Sequence, residues 1–178
     1  MKTLIEEFFK EAIENNIEIY NEFSLQHELG IFLRNSLPEY KLQFERNISF
    51  FGISGTIKKE IDIVIYNDNE KHAIELKYPV NGQYPETMFS FIKDIKFMEQ
   101  LKENGFNSTY AVTLVDDHNF YEGTKVDGIY AYFRNRKIIN GLISKPTGKK
   151  DESFTVNGSY NISWKPLEKY HYYIVENK

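Results

Sequence analysis

Glu60-Ile61-Asp62-Ile63-Val64-Ile65-Tyr66, then Asn67-Asp68-Asn69-Glu70-Lys71, then His72-Ala73-Ile74-Glu75-Leu76-Lys77-Tyr78 is the stretch on which the reading turns. The first segment is rich in β-branched residues, the third alternates apolar and charged side chains from Ile74 to Tyr78, and the middle one is turn material. Two strands, roughly 57–66 and 72–78, are therefore expected to form a hairpin. Side chains alternate between faces along a strand. Ile61, Ile63 and Ile65 are expected on one face, with Asp62 on the other. Glu75 and Lys77 share a face, opposite Ile74 and Leu76. One hairpin register sets Asp62 beside Glu75 and Lys77.

Two carboxylates brought close repel unless a cation lies between them. Oxygen ligands alone suit Mg²⁺ or Mn²⁺, which keep several waters and accept phosphate oxygens. Such a metal polarises a phosphodiester and lowers the pKa of a water molecule. An ammonium such as that of Lys77, placed nearby, stabilises developing phosphorane charge or orients the nucleophile. The pattern thus points to metal-dependent phosphodiester hydrolysis, with Asp62, Glu75 and Lys77 as its centre.

Working outward, residues 3–15 repeat apolar side chains at helical spacing: Leu4, Ile5, Phe8, Phe9, Ala12 and Ile13. A second helix is predicted from Ser24, as N-cap, to about Leu37, before Pro38. Residues 41–50 alternate as a half-buried strand, with Arg46 the exception on the apolar face. A helix is expected over about 86–104, stopped by Gly105, then a buried strand from Thr109 to Val115. Gly128–Phe133, Ser153–Val156, Tyr160–Trp164 and Tyr170–Val175 are further candidate strands. The order implies a mixed sheet flanked by helices in a single α/β domain over 1–178. Glu28 lies three residues after Leu25 and four before Phe32, on the apolar stripe of its helix. A carboxylate there is costly unless paired or bound to metal, so Glu28 is a candidate outer member of the site.

Glu28 on an early helix, Asp62 in a strand, and Glu75-Leu76-Lys77 as an E-x-K element resemble the PD-(D/E)XK nuclease superfamily, the restriction-endonuclease-like fold. The likeness covers about residues 22–115 and departs from the motif where Ile61 replaces the proline. It implies an αβββαβ core, here with C-terminal β additions. It also implies metal bound by Asp62, Glu75 and the Leu76 carbonyl, with Glu28 assisting and Lys77 catalytic. DNA is the expected substrate, and a homodimer would supply two active sites for cutting both strands. The alternatives are an inactive module of that fold, binding nucleic acid or a partner protein, and an unrelated α/β domain whose charges are structural.

The 178-residue chain has no cysteine, which excludes disulfides and thiolate zinc sites, and its net charge is −4. No apolar run reaches the roughly 20 residues of a membrane helix, and no signal-peptide core opens the chain, so a cytoplasmic protein is the expectation. His27-Glu28-Leu29-Gly30-Ile31 lacks the second histidine of a zincin helix. Arg134, Arg136, Lys137, Lys145, Lys149 and Lys150 form a stretch able to contact phosphates or to lie solvated. Glu60 is a possible auxiliary ligand, and Gln83, Lys93 and Lys96 follow the hairpin with surface roles as the default.

Overall fold

The computed structural model describes residues 1–80, 82–148 and 152–177. Its elements are α1 (Lys2–Glu14), α2 (Glu22–Ser36), β1 (Lys41–Asn47), a 3-10 turn (Ile48–Phe51), β2 (Glu60–Tyr66), β3 (Lys71–Lys77), α3 (Tyr84–Glu103) and β4 (Ser108–Val115). After these come a 3-10 turn (His118–Phe120), α4 (Tyr130–Arg134), β5 (Ile139–Ser144), β6 (Ser153–Tyr160), β7 (Lys165–Leu167) and β8 (Tyr170–Asn177).

Six strands form one mixed sheet in the order β1-β2-β3-β4-β8-β7. β3 and β4 run parallel, joined by α3 as the crossover, and the remaining neighbours are antiparallel. The protein is therefore mixed α/β. One face of the sheet packs on α1 and α2, through Ile5, Phe9, Leu25, Leu29 and Leu33 against Ile63, Ile65, Ile74, Leu76 and Val112. The other packs on α3, through Met88, Ile92, Ile95 and Met98 against Ile61, Val64, Ala73 and Ala111. Each fully buried Val, Leu, Ile, Phe or Met among them contributes roughly 1.5–3 kcal/mol. The β5–β6 hairpin is a separate two-stranded sheet held against α3. None of the described helices is long and apolar enough to cross a membrane.

Helix α2 starts earlier than Ser24. Asn21 is the N-cap: its side chain accepts the Ser24 N–H at 2.7 Å, and the Ser24 hydroxyl accepts the Asn21 N–H at 3.1 Å. Ser24 is thus the return arm of a capping box, and Glu22 falls in the first turn. The helix lies close to the sheet because residue 30 is glycine. A Cβ there would come within 2.2 Å of the Phe44 ring.

Three other departures have physical causes. The strand expected over 57–66 begins only at Glu60; the preceding residues are irregular, and the Ile57 N–H is bound by the Gln100 side chain at 2.8 Å. Gly128–Phe133 is not a strand; Tyr130–Arg134 is a short helix. Ile129 and Phe133, four apart, both enter the α3-side core, so a spacing that suits alternation also suits one helical turn. Ser153–Tyr160 is one strand, paired with an unanticipated strand at Ile139–Ser144, and 161–164 lies outside strands.

Candidate active site

The β2–β3 ladder runs from Tyr66↔Lys71 to Ile63↔Ile74 and stops there. The next pair in that register is Asp62 opposite Glu75, and side chains replace the backbone exchange. The Asp62 N–H donates to Glu75 Oε1 at 3.2 Å, and the Leu76 N–H donates to Asp62 Oδ2 at 2.7 Å. Each carboxylate therefore caps the backbone of the opposite strand where the strands part. On the other side of β2, pairing with β1 also skips this point, passing from Phe44↔Ile63 to Arg46↔Ile61. The residue skipped in β1, Glu45, adopts a left-handed φ of 47°. Gln26 on α2 bridges the break, donating to Glu45 Oε1 at 2.6 Å and to the Asp62 carbonyl at 2.8 Å.

This break also corrects an expectation. Ile61, Ile63 and Ile65 do not share a face: Ile61 packs on the α3 side, while Ile63 and Ile65 pack on the α1–α2 side. The distortion at Asp62 rotates the strand between them.

The structure brings Asp62, Glu75 and Lys77 together and adds three groups. Lys77 Nζ bonds to Glu22 Oε1 at 3.0 Å and to the Leu76 carbonyl at 2.9 Å, and lies 3.7 Å from Asp94 Oδ2. Glu22 Oε2 accepts the Tyr78 N–H at 3.2 Å. Lys58 Nζ bonds to Glu75 Oε2 and, at 2.9 Å, to Asp94 Oδ1. Asp94, on α3, is only 4% exposed, and Glu75 only 1%. A cleft of about 250 Å³, bounded by Glu22, Phe23, Gln26, Glu45, Asp62 and Leu76, opens the site to solvent.

Three carboxyl groups (Glu22, Glu75, Asp94) thus pair with two ammonium groups (Lys58, Lys77), and a fourth, Asp62, lies in the field of both. Burial, set against the nearby Lys58, raises Asp62 to a pKa of about 6. Burial and the facing Asp62 push Glu75 well above the usual carboxyl range, with Lys58 opposing. Burial works to lower Lys58 and Lys77, but Asp94 and Glu75 beside the first, and Asp94 and Glu22 beside the second, hold both above the ordinary lysine value. Such a cluster is short of positive charge.

The donor set fits a hard divalent cation in its chemistry. It is all oxygen, it is crowded with carboxylates, and Asp94 Oδ2 is buried with no hydrogen-bond partner. The spacing is that of an ion-pair network: among the described residues no three acidic or histidine side chains stand together as a metal cage.

Glu28 is not brought in. It is half-buried and makes no hydrogen bond or ion pair with Asp62, Glu75 or Lys77. At about 100° per residue it is turned about 160° from Gln26, the residue that reaches Asp62. The carboxylate that α2 contributes is Glu22. Glu60 is exposed and makes no bond to the cluster. Gln83 is the N-cap of α3, Lys93 pairs with Glu152 at 2.7 Å, and Lys96 pairs with Glu99 at 3.0 Å. In the basic stretch, Arg134 is bound by the Asn119 and Lys125 carbonyls, Lys137 lies over the Tyr132 ring, and Lys145 faces Glu152. Lys149 and Lys150 lie outside the described residues.

Glu22, Lys58 and Asp94 escaped the sequence reading. Asp94 carried a usable signal, because it sits three residues from Phe91 and four from Met98 on the buried face of α3, the argument that had singled out Glu28. Glu22 was hidden by the misplaced helix start. Lys58, in an irregular segment, carried none. Compared with models of known protein families, with curated proteins and with solved structures, the chain matches none.

Proposed function

We propose that this chain is a Mg²⁺- or Mn²⁺-dependent nuclease acting on DNA, with its active site where β2 and β3 part. The observation that carries this reading is the direct opposition of Asp62 and Glu75 across the strand gap, with Lys77 two residues beyond Glu75. The element order from α2 to β4, which is α, three strands, α and a strand, supports a restriction-endonuclease-like core. Asp62, Glu75 and the Leu76 carbonyl would hold the ion, and Glu22 and Asp94 would balance Lys77 beside it. When bound, the ion polarises the phosphodiester and acidifies water. Lys77, kept protonated by Asp94 and Glu22, supplies a fixed positive charge for phosphorane oxygens. Phe23, 70% exposed on the rim of the cleft and stacked on His27, offers an aromatic face to a nucleobase. A dimer would present two such clefts to a duplex.

The test is cleavage of supercoiled plasmid, linear duplex and RNA by the whole chain in Mg²⁺, Mn²⁺ or EDTA. Nicking or cutting of DNA that needs the divalent ion is the expected result. No cleavage of any substrate in either ion would favour a second reading, a nuclease-fold module without activity, which the Lys58–Glu75 contact also suits.

A further inference from the structure

Lys58 enters the carboxylate cluster from a segment of irregular backbone, yet that backbone is pinned on both sides. The Ile57 N–H bonds to the Gln100 side chain at 2.8 Å, and the Lys59 carbonyl accepts the Ile48 N–H at 2.9 Å. Only the lysine stem is left to move, with four rotatable bonds. Its ammonium lies 5.8 Å from the centre of the Phe97 ring and bridges Glu75 to Asp94, while the side chain keeps 25% of its surface exposed. A path to solvent therefore exists without any change of fold. Both Glu75 oxygens are occupied in this arrangement, one by the Asp62 N–H and one by Lys58. The Asp62 N–H belongs to the strand, so among the described residues Lys58 is the one Glu75 partner that can swing away. Asp94 Oδ2, buried and without a hydrogen bond, lies in the same cluster.

We propose that Lys58 is the resident counter-ion of the site: its ammonium holds Glu75 to Asp94 and must leave Glu75 for a divalent ion to bind, so that Lys58 sets the metal affinity. The inference rests on the metal-binding half of the proposed function. Lys58 is a positioning residue here. It neutralises the carboxylate pair when metal is scarce, and its release is coupled to loading.

The test is Mn²⁺ binding by calorimetry to the whole chain and to Lys58→Met, which keeps the length of the stem and removes the charge. Removing a competing like charge from the site should tighten Mn²⁺ binding about tenfold or more. Equal or weaker affinity in a folded Lys58→Met protein, or no binding to either protein, overturns the proposal. If Lys58→Met does not fold, the unaltered protein decides. Acetylation of Lys58 by an amine-reactive ester, followed by mass spectrometry, should be slow in EDTA and several-fold faster in saturating Mn²⁺, while Lys96, paired with Glu99, is unchanged. Equal Lys58 labelling in both conditions overturns it. Neither measurement reads cleavage. Failure of the nuclease reading shows instead as intact DNA beside a tightened Mn²⁺ isotherm.

Discussion

The two ends of the β2–β3 hairpin solve the same problem in opposite ways. At the closed end, Tyr66 pairs with Lys71, the Asn67 N–H bonds to the Glu70 carbonyl at 3.0 Å, and the Asn67 side chain accepts the N–H groups of Asn69 and Glu70. These turn contacts are local, and Tyr40 and Asn107 add bonds from elsewhere in the chain, to the Glu70 carboxylate and to the Lys71 N–H. At the open end, the backbone groups freed by the parting strands are taken by Asp62, Glu75 and Gln26; Lys58 from a loop answers Glu75, and Lys77 from β3 answers the neighbouring Glu22 and Asp94. Those partners come from α2, the segment before β2, β3 and α3. The closed end faces solvent, and its turn is held by the Asn67 side chain and backbone. The open end is buried, charged and short of cations, a costly arrangement for a site that only has to fold.

Removing the charge of Asp62 tests this contrast most strongly. A raised carboxyl pKa means that the folded protein binds a proton more tightly than the unfolded chain does. Between about pH 4 and 6 the folded state therefore holds more protons, stability falls as pH rises, and the penalty is constant above that window. Glu75 is shifted in the same direction and extends the fall upward. Asp62→Asn keeps an acceptor for the Leu76 N–H and removes the charge. In EDTA at pH 8 it should be more stable than the natural protein by roughly 2–3 kcal/mol, a shift of about two pKa units, and the gain should vanish near pH 4. Urea unfolding across that range reads it. A variant less stable at pH 8 would mean that the ionised carboxylate helps hold the strands together.

At the closed end a smaller and purely structural effect is expected. Asn67→Ala removes two local acceptor contacts and should cost about 1 kcal/mol, with no change in Mn²⁺ affinity. A change in Mn²⁺ binding would show that the two ends are coupled.

This division also governs what could be read from the sequence. The hairpin, α1, α3, β4 and β8 follow from local periodicity and turn chemistry, the shared face of Glu75 and Lys77 from strand alternation, and the opposition of Asp62 and Glu75 from one hairpin register. The faces of Ile61 and Ile63 could not be read, because the rotation between them arises from Glu45 in a different strand and Gln26 in a helix. Glu22 depended on whether Asn21 or Ser24 caps α2, two residues with nearly equal capping ability. Lys58 joins the site from an irregular segment with no local pattern, through long-range contacts to Glu75 on β3 and Asp94 on α3.

The most direct measurement is plasmid cleavage in Mn²⁺ by Asp62→Ala and by Lys77→Ala, each first shown to be folded by circular dichroism. Both variants should lose about a hundredfold or more in rate. Full activity in either one would contradict the assignment of the strand gap as the active site.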